Sequence, residues 1–309
     1  MLVIFCPGQG SQTPGFLAPW LELSEFRNSI ESMQKASGVD LIGHGTESDA
    51  DTIRDTAIAQ PLIVAAGIAS LASLFPGKTL KESGIAGVAG HSVGEVTAAV
   101  ASGVFSAESG INFVNQRGLA MAKAAALEAT SMAAILGGEQ TDVEARLSSL
   151  GLEPANYNGA GQIVAAGSAQ GIADLQADGP AGARVIPLQV AGAFHTRFMA
   201  PAVDTLRTYA AGVEVSDPAI KLWSNAGGAL VTSGQEFVKS LVSQVQSPVR
   251  WDLCMAAMVE AGVTAILEVP PAGTLSGLAK RSMPGVETLA LKSPDQLDAA
   301  RTLIANHTN

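Results

Sequence analysis

Ile85-Ala86-Gly87-Val88-Ala89-Gly90-His91-Ser92-Val93-Gly94-Glu95 is the stretch on which the fold turns. Ile85 to Ala89 is a short apolar run with the character of a buried strand, and Val96 to Ser102, closed by Gly103, has the character of a helix. Between them, Gly90-x-Ser92-x-Gly94 has the form of a nucleophile elbow. In such a turn a serine rides a sharp strand-to-helix junction, and the flanking glycines let the backbone bend and keep the hydroxyl accessible. A chain with 33 glycines can produce the pentad by accident, so its position between strand and helix is what nominates Ser92 as a nucleophile.

Outward from that junction, strand-like runs alternate with amphipathic helical runs, which argues for an α/β body with a mainly parallel sheet covered by helices. The spacing predicts sheet strands at Leu2 to Cys6, Ile85 to Ala89, Ile220 to Ser224, Thr264 to Val269 and Glu287 to Leu291. Ser106 is placed to cap a long helix running through Lys123, and Ser293-Pro294-Asp295 reads as another helix start. From about residue 126 to 191 the order becomes strand, helix, strand, strand, helix, strand, the order of a ferredoxin-like insert. Its pieces are Met132 to Leu136, a helix opened by the capping box Thr141-Asp142-Val143-Glu144 and ending at Gly151, Glu153 to Asn156, Ile163 to Ala166, the helix Ala169 to Gln176, and Arg184 to Leu188. The expected division is a large subdomain of residues 1–125 and 192–309 and a small one of 126–191.

With 309 residues, 47% hydrophobic and 15% charged, the chain can bury one large core. Mean hydropathy is +0.28, yet no uncharged apolar stretch of membrane-spanning length is expected, and the apolar N-terminus runs from Met1 straight into Pro7-Gly8 like a first strand rather than a signal peptide. Cys6 and Cys254 form no disulfide framework and have no metal-ligand spacing, which points to a reduced, cytoplasmic setting with no metal. A net charge of −10 without basic runs argues against nucleic acid as a partner.

A serine needs a general base, and histidine is the usual one near neutral pH. Of four histidines, His307 falls in a frayed tail, His44 in a loop without an evident partner, and His91 on the elbow itself, where neighbouring side chains diverge. His195, in Gly192-Ala193-Phe194-His195-Thr196, lies at a junction loop and remains as either the base or a packing histidine. Gly8-Gln9-Gly10-Ser11-Gln12 follows the first strand at the carboxyl end of the sheet, where open α/β sheets bind ligands. Its amides together with that of Val93 could form an oxyanion hole, whereas as a phosphate loop it lacks the Lys-Ser or Lys-Thr. Arg117, in Asn115-Gln116-Arg117-Gly118, is either a solvated helix residue or, given its small and apolar neighbours, a bidentate carboxylate binder.

Taken together, Gly8-Gln9-Gly10-Ser11-Gln12, Gly90-His91-Ser92-Val93-Gly94-Glu95, Gln116-Arg117-Gly118 and Phe194-His195-Thr196 resemble the malonyl-CoA:acyl carrier protein transacylase family. The resemblance takes in Ala155-Asn156-Tyr157-Asn158, Gln244-Val245-Gln246-Ser247-Pro248-Val249-Arg250-Trp251 and Leu275 to Arg281, and runs in family order along the whole chain. It implies a hydrolase-like α/β core with a ferredoxin-like insert. It also implies that Ser92 is acylated, that His195 is its base and that the backbone carbonyl of Gln244 orients His195 in place of a triad aspartate. Arg117 would hold the malonyl carboxylate, Gln9 and Val93 would supply the oxyanion amides, and Met121, Phe194 and Asn158 would line the substrate. In the family a phenylalanine before the histidine goes with malonyl selectivity and smaller residues with branched acyl groups. One departure, Glu268-Val269-Pro270-Pro271, lacks the glycine many relatives carry before the second proline.

The resemblance further implies ping-pong transfer from malonyl-CoA to the phosphopantetheine thiol of holo acyl carrier protein, in fatty acid or polyketide synthesis, with no cofactor beyond the coenzyme A thioester and no membrane. Lys280, Arg281 and Arg184 are candidates for a basic patch facing that acidic partner. The competing reading is a serine esterase or hydrolase on a related fold. It requires an acid before the histidine, for which Asp174 and Asp178 are the candidates inside the insert, and a His-Gly-Gly-Gly run that the sequence lacks.

Overall fold

Leu2, Ile4 and Cys6 point to one side of β1 (Leu2–Cys6) and Val3 and Phe5 to the other, and all five are fully buried. That two-sided burial is the mark of a central strand in a parallel sheet with helices on both faces. The computed structural model describes residues 1–308. The remaining strands are β2 (Gly87–Gly90), β3 (Thr130–Gly137), β4 (Glu153–Gly159), β5 (Gln162–Ser168), β6 (Ala183–Leu188), β7 (Lys221–Trp223), β8 (Val249–Arg250), β9 (Ala265–Glu268) and β10 (Glu287–Ala290). The first sheet runs β10-β9-β1-β2-β7, parallel throughout. Leu2, Ile4 and Cys6 pack with residues of helices Thr56–Leu74 and Gly94–Ser102, while Val3 and Phe5 pack with Trp251, Cys254, Leu275 and Leu278.

The helix Thr56–Leu74 is apolar on every side, with a window of hydropathy 1.8 that would suffice to cross a bilayer, contrary to the expectation that no such stretch exists. Of that window 83% is buried, so it is the core helix of the body, as helices hydrophobic all round usually are. Gln60 is a buried polar residue on it.

The second sheet runs β6-β3-β5-β4-β8. Within it β3, helix Gln140–Ser149, β4, β5, helix Ala169–Ala177 and β6 follow the ferredoxin-like order, and their strand pairs are antiparallel. Alternation splits its faces. Ala133, Ile135, Ile163 and Ala165 pack on Val143, Leu147, Ile172 and Leu175 of the two helices, while Met132, Val164 and Ala166 join the large core. The fifth strand, β8, comes from outside the insert and pairs parallel to β4.

Several local expectations change. The helix after β3 begins at Gln140 with Glu139 as its N-cap and no side-chain cap. Thr141 is therefore already inside the helix, and Glu144 instead accepts from Gln140 Nε2 and the Tyr157 hydroxyl, both at 2.9 Å. His307 is not frayed: it ends the helix Leu297–His307, with Nε2 2.9 Å from Glu287 Oε2 and Nδ1 2.9 Å from Thr264 Oγ1. His44 lies in the short helix Leu41–Thr46 with Nδ1 3.0 Å from Ser48 Oγ. Ser293 and Pro294 open a 3-10 turn that leads into that last helix, and Ser106 caps Ala107–Ala125 by accepting from Ser109 N–H.

Candidate active site

β2 ends at Gly90 and the next helix starts at Gly94, so the chain must reverse within three residues. A Cβ on Gly90 would sit 2.0 Å from the Gly94 backbone, and one on Gly94 would sit 2.1 Å from the Cys6 carbonyl oxygen. The two glycines of the pentad are therefore set by backbone-to-backbone approach. Ser92 takes φ +54°, a strained conformation for a side-chain-bearing residue. What holds it is Asn225, in the loop after β7: its Oδ1 accepts the Ser92 N–H at 2.8 Å and its Nδ2 donates to the Gly90 carbonyl at 2.8 Å. Asn225 is fully buried.

His195 also has positive φ, +61°, and its N–H donates to the Val245 carbonyl at 3.0 Å. Its Nδ1 lies 2.9 Å from the Gln244 carbonyl oxygen and its Nε2 2.7 Å from Ser92 Oγ. A carbonyl can only accept, so Nδ1 carries the proton and Nε2 presents its lone pair to the serine hydroxyl. Burial, and next the charge of Arg117, push the imidazole down to about 3, which keeps it neutral near pH 7. Asp174 and Asp178, the acids an esterase triad would need, stand on and just beyond the insert helix Ala169–Ala177, where Asp178 pairs with Arg146.

Arg117 is 1% exposed. Its Nη1 donates to Gln60 Oε1 at 2.7 Å and its Nη2 to Gln244 Oε1 at 2.9 Å, with Ser92 Oγ 3.5 Å from the same Nη2. Neutral amide oxygens fix the guanidinium plane without cancelling its charge. Burial lowers Arg117 to about 10, with Glu95 acting the other way. Glu95, itself 1% exposed, accepts the Asn225 N–H at 2.8 Å on one oxygen and the Gln244 side-chain amide on the other. Burial pushes its carboxyl up to about 8 against the Asn225 N–H, the Ser224 side chain and the Arg117 charge, which favour the anion.

Ser92 and His195 open onto a pocket of about 100 Å³ whose walls include Gln9, Val93, Met121 and Phe194. Gly10, at φ +111°, turns the loop after β1, and the Gln9 and Gln12 side chains tie it down by donating to the carbonyls of Arg54 and Ile53. Among the described residues the N–H groups of Gln9 and Val93 meet no protein acceptor, whereas those of Ser92 and Gly94 are taken by Asn225 and by the His91 carbonyl. Two free amides beside a nucleophile are what an oxyanion requires. Asn158 sits differently from its expected place against substrate: its Oδ1 is 2.8 Å from His91 Nε2, and Asn156 is the one on the pocket wall. His91 is further held edge-on to Trp251 at 5.7 Å. A larger cleft, about 430 Å³, lies among Ile68, Phe75, Leu80 and Val100, away from the dyad and without a histidine. Among the described residues no His, Cys, Asp and Glu side chains gather in the groups of three a metal ion would need.

Gln60, Asn225, Asn156 and Met132 are site residues that the sequence did not single out. Gln60 left a trace as a lone amide within an apolar helix, a placement that asks for a buried partner. Asn225 left a weaker one, in Ser224-Asn225-Ala226-Gly227-Gly228 at the carboxyl end of a sheet strand.

A serine on a strained strand-to-helix elbow, a neutral histidine oriented by a carbonyl and two free amides define a serine acyl-transfer site. The acyl transferase domain family matches residues 3–299. A malonyl CoA-acyl carrier protein transacylase from Mycobacterium tuberculosis is 49% identical over 303 residues, 98% of this chain and 100% of that protein. The solved structure of MCAT from Mycobacterium tuberculosis superposes with a TM-score of 0.90 at 49% identity, covering 97% of this chain and 99% of that one. A malonyl-transacylase solved in complex with its type II PKS acyl-carrier protein gives a TM-score of 0.88 at 28% identity, covering 99% of each chain. The chain belongs to the malonyl CoA-acyl carrier protein transacylase family, with its α/β core and second mixed sheet.

Proposed function

We propose that the protein moves a malonyl group from malonyl-CoA to the phosphopantetheine thiol of acyl carrier protein by way of a malonyl ester on Ser92. The observation that carries this reading is Arg117: a buried guanidinium held by neutral amides, 3.5 Å from the nucleophile oxygen. A site for uncharged acyl groups has no use for such a charge, and a dicarboxylic monothioester supplies its counterion. His195 Nε2 takes the proton as Ser92 Oγ attacks the thioester carbon, with the oxyanion received by the Gln9 and Val93 amides. The proton passes to the departing coenzyme A thiolate. The carrier thiol then attacks the ester, returning its proton to Ser92 through the same imidazole.

Gln244 orients His195 through its carbonyl, which cannot take the proton from the imidazole as an acid might be imagined to do. Binding the free carboxylate at Arg117 fixes the reacting carbon against Ser92 with energy from a part of the substrate that does not react. Met121 and Phe194 bound the acyl space, and Asn158 serves by fixing His91. Residues 126–191 work as a small subdomain closing over the elbow, and the exposed Arg184, Lys280 and Arg281 suit an acidic carrier protein. A cytoplasmic setting suits both thioester substrates and two buried, unpaired thiols.

The test is transfer itself. With malonyl-CoA and holo acyl carrier protein, malonyl carrier protein should form with one free coenzyme A per transfer. Coenzyme A release without malonyl carrier protein would instead establish a hydrolase.

A further inference from the structure

Glu95 closes the elbow hexad, yet neither step of the transfer uses it. It stands in the first turn of the helix Gly94–Ser102 and is buried beneath the nucleophile turn. Both of its oxygens face donors, the Asn225 N–H and the Gln244 Nε2 amide. With Nε2 committed to Glu95, the Gln244 amide has its oxygen turned outward, and that oxygen accepts from Arg117 Nη2 at 2.9 Å. The chain of donors therefore has one polarity, from Arg117 through Gln244 to Glu95, and Glu95 ends it by accepting on both oxygens, an arrangement that favours the anion against the burial that raises its carboxyl.

We propose that Glu95 is a positioning residue for carboxylate recognition: through the Gln244 side chain it turns an amide oxygen toward Arg117, and it keeps the site's own carboxylate one amide away from the guanidinium. This rests on the reading of Arg117 as the malonyl clamp. The alternative arrangements show why the polarity matters. An amide at position 95 can keep the Asn225 bond with its oxygen, but its NH2 then meets the Gln244 NH2. Gln244 must invert to relieve that conflict, and its NH2 then faces the Arg117 guanidinium, donor against donor. The clamp loses an acceptor and Asn225 Oδ1 loses its 3.4 Å contact from Gln244 Nε2, while the 2.8 Å Ser92 N–H bond to that oxygen and the carbonyl of residue 244 behind His195 remain. Exchanging the two side chains, Glu95→Gln with Gln244→Glu, restores the donor order from Arg117 through residue 244 to residue 95, losing only the 3.4 Å donation from residue 244 to Asn225 Oδ1. It also sets a carboxylate directly on Arg117, where it competes with the malonyl carboxylate.

The experiment compares malonyl and acetyl loading of Ser92 in the full chain, as kcat/KM from malonyl-CoA and acetyl-CoA, for wild type, Glu95→Gln and the exchanged pair. Loss of one hydrogen bond to a charged group predicts a fall of about tenfold or more in malonyl loading by Glu95→Gln, carried mainly by KM, with acetyl loading changed by less than about threefold. For the exchanged pair the readout is the ratio of malonyl to acetyl kcat/KM, which should stand at least about tenfold below that of wild type. Equal losses of both acyl groups in Glu95→Gln, or no loss of either, would overturn the proposal, as would full recovery of malonyl loading by the exchange. Should Glu95→Gln fail to fold, the malonyl to acetyl ratio of the exchanged pair decides alone. Wild type that does not load malonyl, or Arg117→Ala that loses both acyl groups alike, would strike at the clamp itself and not at Glu95.

Discussion

If Arg117 is the malonyl clamp proposed above, replacing it with alanine removes the charge that pairs with the malonyl carboxylate, and the structure allows the size of the effect to be worked out. Arg117 is almost wholly buried, so a substrate carboxylate placed against it forms a desolvated pair, and deleting one partner of such a pair costs about 3–5 kcal/mol. At about 1.4 kcal/mol per factor of ten, malonyl loading should fall by about 100-fold to 4,000-fold in kcat/KM. Acetyl-CoA has no carboxylate to lose. It feels only the unpaired oxygens of Gln60 and Gln244, which can be rehydrated in the space the guanidinium vacates, so its loading should fall by less than about tenfold. Arg117→Lys keeps a charge but not the planar fork that reaches both amides, and should fall between the two. The assay is the rate of Ser92 acylation, followed by quenched-flow intact mass, with each thioester in turn. Losses of equal size for the two acyl groups would refute the carboxylate clamp.

His195 is held down to about 3, so the base is neutral throughout the ordinary range and is lost only as pH falls through that depressed value. The kcat/KM for malonyl loading should accordingly show no acid limb near 6.5 between pH 5 and 8, and a limb centred there would contradict the buried, carbonyl-bonded imidazole. Gly94→Ala puts a Cβ 2.1 Å from the Cys6 carbonyl. Overpacking of this kind costs about 1–3 kcal/mol or more, so thermal denaturation should show Tm lowered by about 5 °C, with Ser92 acylation slowed, whereas an unchanged Tm would show that the elbow yields freely.

The parallel sheet was legible because its strands are short apolar runs between helical stretches, and the elbow because its glycines sit at the junction. The insert was legible from the order of its elements. Less visible were features that depend on distant pairing. Val249 and Arg250 make too short a strand to leave a pattern, and they become one only because β4 offers its edge. Thr141 to Glu144 matches a capping box, but Tyr157 on β4 competes for the Glu144 carboxylate. In the site, Ser92, His195 and Arg117 belong to chemical types that announce themselves. Asn225, Gln60 and Glu95 act through hydrogen bonds to residues 133, 57 and 149 positions away, and nothing local to them in sequence states the partner. Asn158 shows the same limit in reverse, since its neighbour Asn156, two residues along the strand, is the one that reaches the pocket.

The covalent step is tested most directly by intact-mass measurement after mixing the protein with malonyl-CoA alone. Wild type should gain a single malonyl adduct that maps to Ser92 and disappears when holo acyl carrier protein is added, and Ser92→Ala should gain none. An unmodified wild type, or an adduct that persists in Ser92→Ala, would contradict a malonyl-serine intermediate.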